Sequence, residues 1–112
     1  MSSKKILVVE DDEDVRLGLA ESLQKNHFAP ITASEGTGAI QRLLEHRDID
    51  TIVTDIRMPI FGGDYWLSFL ETFCLPRYRI ILASARQLDT VPTGMRYLRK
   101  PYSFEELLGL LK

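Results

Sequence analysis

Glu10 and Asp11 follow the apolar run Ile6-Leu7-Val8-Val9, and Asp55 follows Ile52-Val53-Thr54. Ser84 follows Ile80-Ile81-Leu82-Ala83, and Lys100 follows Tyr97-Leu98-Arg99. Three carboxylates, a hydroxyl and an ammonium thus each stand where a β-type segment ends. In an open parallel sheet the ligand site lies at the carboxyl ends of the strands, so one sheet would carry all five groups to one edge. Carboxylates gathered within a few ångströms repel, and each resists ionisation unless a cation joins them. Lys100 alone does not balance three of them. A hard divalent cation does: Mg²⁺ prefers oxygen ligands, keeps several waters and commonly completes its shell with a phosphoryl oxygen. A carboxylate beside such an ion, a hydroxyl and a lysine is equipped to form an aspartyl phosphate. The metal, Lys100 and Ser84 would neutralise the transferring oxygens, which is most of what phosphoryl transfer requires.

The elements that must position these groups can be read along the chain. Residues 5–9 form a β-branched and apolar run suited to a strand buried on both faces. The acids of 10–14 come next, then Val15, Leu17, Leu19, Ala20 and Leu23 at helical spacing, with Asp12 to Asp14 in the first turn, where negative charge suits the helix dipole. Residues 29–33 make a weak strand, which Pro30 assigns to a sheet edge. Ser34 is the expected N-cap of a helix carrying Ala39, Ile40, Leu43 and Leu44. Residues 51–55 form the third strand. Asp64 caps a helix running to about Leu75, just before Pro76. Residues 79–85 hold a fourth strand and 95–101 a fifth, stopped by Pro101. Ser103 and Glu106 make a capping box for a last helix with Phe104, Leu107, Leu108 and Leu111 as its stripe. Strands alternating with helices predict an α/β fold, a parallel sheet with helices on both faces.

The bounds agree. A chain of 112 residues predicts one domain over 1–112. A net charge of −2 gives no electrostatic case for nucleic acid or anionic lipid. The single cysteine, Cys74, permits no internal disulfide and fits a reducing compartment. No apolar run is long enough for a signal peptide or a membrane span. The expectation is a soluble cytoplasmic domain. No Gly-rich phosphate loop, zinc spacing or Ser-His-Asp set is present. His27 and His46 fall at or near helix ends, where surface roles are expected. Cys74 is expected in the core or on the third helix's surface, not as a nucleophile.

In combination these motifs resemble a receiver domain of the bacterial two-component response regulators, over nearly the whole chain. Ile6-Leu7-Val8-Val9-Glu10-Asp11-Asp12 resembles the family's first strand and acidic pair. Thr54-Asp55-Ile56-Arg57-Met58-Pro59 resembles its phosphoacceptor turn, with Gly63 as the small residue before the third helix. Leu82-Ala83-Ser84-Ala85 resembles the strand with the switch hydroxyl, and Tyr97-Leu98-Arg99-Lys100-Pro101 the lysine strand with its cis proline. The resemblance implies a flavodoxin-like, doubly wound five-stranded sheet in the order 2-1-3-4-5. It implies Asp55 as phosphoacceptor, Asp11 binding Mg²⁺ directly, Glu10 binding it through water, and the backbone carbonyl of Arg57 as a further ligand. It implies that Ser84 moves toward the phosphoryl group and that Lys100 pairs with it. Tyr97 holds the place of an aromatic switch, although it reads equally as a sheet residue. Alignment on the first strand selects Glu10 and Asp11 as the acidic pair, with Asp11 and Asp12 as the alternative. The implied partner is a histidine kinase or a histidine phosphotransfer protein.

Two departures stand out. Only residues 85–99 separate Ser84 from Lys100, so the fourth helix must be shortened or missing, and the family's usual output surface is in doubt. The third helix carries Tyr65, Trp66, Leu67, Phe69, Leu70, Phe73, Cys74 and Leu75, more than one apolar stripe. Such a helix predicts a surface for a downstream protein or for self-association, formed with the 86–94 loop and disrupted by Trp66→Glu. By the resemblance, Arg57 and Arg86 hold the two positions that flank the family's phosphate entry, where they would either shield the phosphoryl group or compete with Lys100. The chain ends at its last helix with no effector domain in view. Two other readings are a degenerate receiver that only docks and a haloacid-dehalogenase-type phosphatase. In the phosphatase the nucleophile lies on the first strand, usually as Asp-x-Asp; here the acidic pair comes first and Arg57 holds the second Asp position.

Overall fold

The computed structural model describes residues 4–56, 63–85, 91 and 93–111. Strands β1 (Lys5–Val9), β2 (Ala29–Ala33), β3 (Ile49–Asp55), β4 (Arg79–Ser84) and β5 (Met95–Arg99) form one sheet in the order β2-β1-β3-β4-β5. Every pairing is parallel. The helices are α1 (Glu13–Lys25), α2 (Gly36–Glu45), α3 (Gly63–Phe69) and α4 (Phe104–Leu111), and a π-helical turn, Leu70–Cys74, continues α3. This is the flavodoxin-like doubly wound fold that the alternation and the resemblance predict. No described helix is long and apolar enough to cross a membrane.

Side-chain alternation divides the core. Leu7, Ile52, Ile80 and Leu82 face Ala39 and Leu43 of α2, Trp66 of α3, and Leu70 and Cys74 of the π turn. Ile6, Val8, Val53, Ile81 and Leu98 face Leu23 of α1 and Leu107 and Leu111 of α4. Strands buried on both faces need continuous apolar runs, as at 6–9 in β1 and 80–83 in β4, whereas the edge strand β5 exposes Arg96 and Arg99. Pro30 lies on β2, an edge strand that tolerates a missing donor.

Local chemistry sets the helix ends. Ser103 Oγ accepts the Glu106 N–H at 3.1 Å, and the Glu106 carboxylate accepts the Ser103 N–H at 3.2 Å, so the expected capping box forms. The cap of α2 is Glu35 rather than Ser34: its carboxylate accepts from Thr37 N at 2.8 Å and Gly38 N at 2.7 Å. One bidentate carboxylate satisfies two orphan donors, which a single serine hydroxyl does not. Helix α1 ends with Phe28 N–H on the Leu23 carbonyl and His27 N–H on the Gln24 carbonyl, a Schellman arrangement. His27 takes the left-handed position there, with φ 69°.

The apolar stripe of α1 is narrower than its spacing predicts. Leu23 is buried, whereas Val15 and Leu17 are exposed. The helix expected to Leu75 reaches Cys74, but its last part is π-helical, with Leu75 N–H on the Leu70 carbonyl at 3.1 Å. Between β4 and β5 no helix occurs among the described residues; 86–90 and 92 lie outside them. The expected Asp64 cap also lies outside the described side chains.

Candidate functional site

Strand register builds the site. Val9 pairs with Thr54, and Asp55 with Ala83, so Glu10 and Asp55 leave adjacent strands side by side. Ser84 pairs with Arg99, which carries Lys100 to the same edge, and Lys100 N–H continues the ladder onto the Ser84 carbonyl at 2.8 Å. The Lys100–Pro101 peptide is cis.

Lys100 joins the two inner acids. Its ammonium donates to Glu10 Oε1 at 2.6 Å and lies 3.0 Å from Asp55 Oδ1. Glu10 is 5 % exposed. Its Oε2 accepts the Asp12 N–H at 3.3 Å, and its carbonyl accepts from the Arg16 guanidinium at 2.9 Å. Burial alone would lower the Lys100 pKa, but hydrogen bonds to Glu10 and Asp55 and the field of both carboxylates raise it overall. The lysine is therefore cationic throughout the neutral range.

Glu10, Asp11 and Asp55 each present a carboxylate oxygen, and these oxygens lie within 4.8 Å of one another. Asp11 is exposed, so the cluster opens to water. One ammonium leaves three carboxylates with excess negative charge. An all-oxygen, acidic and solvent-open donor set of this kind fits a hard divalent cation such as Mg²⁺. Asp12 is engaged elsewhere: its Oδ1 accepts the Val15 N–H at 3.0 Å and caps α1.

Ser84 is buried at the end of β4. Half-buried Tyr97 donates its hydroxyl to the Ser84 carbonyl at 3.3 Å, so the two residues expected to act in a switch share a contact. Arg57, Met58, Pro59 and Arg86 lie outside the described residues. Arg16 and Thr54 carry no sequence signal for a role here. Arg16 reaches Glu10 only because α1 folds back over β1, and Thr54 matters through a hydrogen bond to Trp66.

The third helix does not present Trp66 on its surface, contrary to expectation. Trp66 is 4 % exposed and donates its indole N–H to Thr54 Oγ1 at 2.9 Å. It is a core residue, and Trp66→Glu would damage the fold rather than probe a surface. The outward apolar residues of this segment are Tyr65 and Phe73. Cys74 is buried, which pushes its thiol up to about 11.

The model of the response regulator receiver domain family matches residues 6–112. The transcriptional regulatory protein PrrA of Mycobacterium tuberculosis is 31 % identical over 117 residues, covering 100 % of this chain and 50 % of PrrA. YxdJ of Bacillus subtilis, also a transcriptional regulatory protein, is 29 % identical over 112 residues, covering 96 % of this chain and 48 % of its own length. The chain thus spans about half the length of these curated relatives. Among solved structures, a receiver domain protein of Clostridium thermocellum superposes with a TM-score of 0.83 at 26 % identity, over 96 % of this chain and 90 % of the other. The response regulator TrrA of Thermotoga maritima, crystallised in complex with Mg(2+)-BeF, superposes at 0.80 with 28 % identity, over 96 % of each chain.

Proposed function

We propose that this chain, which belongs to the response regulator receiver domain family, accepts a phosphoryl group on Asp55 from a phosphohistidine donor and thereby switches a protein-interaction surface. The observation that carries this reading is the meeting of Glu10, Asp11 and Asp55 within 4.8 Å, with Lys100 bridging two of them. TrrA, a similar structure, was solved with Mg(2+)-BeF.

An Asp55 carboxylate oxygen attacks phosphorus. The new P–O bond forms as the P–N bond to the donor imidazole breaks, and the imidazole keeps the electron pair and takes up a proton. Glu10, Asp11, Asp55 and the Arg57 carbonyl would hold Mg²⁺. When bound, the ion supplies positive charge for the transferring oxygens. Lys100 adds an ammonium already positioned against Asp55, and the Ser84 hydroxyl donates to a phosphoryl oxygen once it has moved. The phosphorylated side chain carries about −1.5 to −2 of charge where the carboxylate carried −1, and it draws in Lys100 and Ser84. Tyr97, bonded to the Ser84 carbonyl, responds to that movement. Water later attacks phosphorus, returning the carboxylate and inorganic phosphate, so the domain catalyses its own modification without turning over a separate substrate.

A histidine kinase or histidine phosphotransfer protein in the cytoplasm would supply the phosphoryl group. The named relatives are transcriptional regulatory proteins of about twice this length, so a downstream output through a longer protein is part of the reading. Incubation with acetyl phosphate, with and without Mg²⁺, followed by intact-mass measurement tests it. Wild type should gain one phosphoryl group only with Mg²⁺, and Asp55→Asn none. A wild type that never gains that mass would leave the docking-only alternative standing.

A further inference from the structure

The reacting edge is tied to α3 by a buried hydrogen-bond chain. Trp66 Nε1 donates to Thr54 Oγ1 at 2.9 Å, and Thr54 Oγ1 donates to the Asp55 carbonyl at 3.2 Å. Trp66 is 4 % exposed and Thr54 fully buried, so water does not compete. Direction is forced by chemistry. An indole N–H only donates, so the Thr54 oxygen must accept from it, and its own proton is left to serve Asp55. The hydroxyl rotor is thereby fixed on the peptide that joins Asp55 to Ile56. That peptide is gripped from the other side as well, because Ile56 N–H donates to the Ala83 carbonyl at 2.8 Å.

Resting on the reading of Asp55 as phosphoacceptor, we infer that Trp66 is a positioning residue for phosphoryl transfer, acting through the Thr54 hydroxyl on the backbone of Asp55. The carboxylate leaves the last position of β3, next to the peptide that Thr54 Oγ1 and the Ala83 carbonyl hold. Its aim therefore depends on the peptide plane that follows it, and Thr54 pins that plane. The effect belongs to the rate of attack, since near-attack geometry is sensitive to small displacements of the nucleophile. The ring of Trp66 stacks on Phe69 at 5.9 Å, and Phe69 meets Phe73 at 5.1 Å. Phe73 is exposed, so the anchor is braced by aromatic packing that runs out to the surface of the π turn.

The test uses Trp66→Phe, which keeps an aromatic ring and removes the N–H, and Thr54→Val, which keeps the shape and removes the hydroxyl. Single-turnover phosphorylation by acetyl phosphate is followed at saturating Mg²⁺ and donor, at a temperature where circular dichroism shows each variant folded. Both variants should lose about three- to tenfold in maximal rate, and the double variant no more than the worse single one, because one chain is cut twice. Thr54→Ser, which restores the hydroxyl, should return to within twofold of wild type. If Trp66→Phe does not fold, the Thr54→Val and Thr54→Ser pair decides alone. Rates within twofold of wild type in Thr54→Val, with only its melting temperature lowered, would overturn the inference and leave Asp55 as acceptor untouched. A wild type that takes up no phosphoryl group would overturn the reading on which it rests.

Discussion

At the scale of single residues, Lys100 carries more than one duty. It neutralises a nearly buried Glu10 and lies against Asp55. Lys100→Ala should slow phosphoryl incorporation on the order of a hundredfold, as removal of a preorganised charge-stabilising donor does, measured by single-turnover mass spectrometry. The types of Glu10, Asp11, Asp55 and Lys100 and their places at the ends of β-type segments were legible in the sequence, because the apolar runs of β1 and β3 mark where those strands stop and Pro101 stops β5. Arg16 was not: its bond to the Glu10 carbonyl depends on how α1 lies over the sheet. Nor was the burial of Trp66, because an apolar stripe tells which residues cluster but not which flank faces the sheet.

At the scale of elements, two helix ends give direct tests. Glu35 caps α2, and hydrogen bonds from Gly38 N–H first and Thr37 N–H second hold its carboxyl below the ordinary value of 4.5. A carboxyl that is more acidic in the folded state stabilises above its unfolded pKa, and that contribution is lost as pH falls through the folded value. Glu35→Ala should cost about 1 kcal/mol at neutral pH. In urea melts repeated toward acid pH, the gap between variant and wild type should close. At the end of α1, His27 holds a left-handed conformation that costs a non-glycine residue about 1 kcal/mol. His27→Gly should raise the urea midpoint accordingly, with an unchanged m-value. Sequence reasoning put a cap near residue 34 and missed it by one position. Serine is the commoner cap type, and the reach of a glutamate across two N–H groups depends on backbone angles that the sequence does not print. The π turn was equally invisible, since its spacing mimics an ordinary helix.

At the scale of the whole molecule, the parallel sheet gathers acids from β1 and β3 with the lysine after β5, although ninety positions separate Glu10 from Lys100 along the chain. Strand order was legible through the family resemblance and the edge proline, because crossover connections leave few arrangements. A cation that binds only this assembled cluster must stabilise the fold, by about 2.7 kcal/mol at a hundredfold excess over its dissociation constant. The melting temperature of wild type should therefore rise with added Mg²⁺, while that of Asp11→Asn should respond far less; equal shifts in both would place the ion elsewhere. The most direct measurement is chemical localisation. Protein treated with acetyl phosphate and Mg²⁺ is reduced with borohydride, which converts an aspartyl phosphate to homoserine, and the peptides are sequenced by mass spectrometry. Homoserine at position 55 alone is the expected result; homoserine at position 11 or 12, or none anywhere in protein that has gained phosphate, would contradict the assignment.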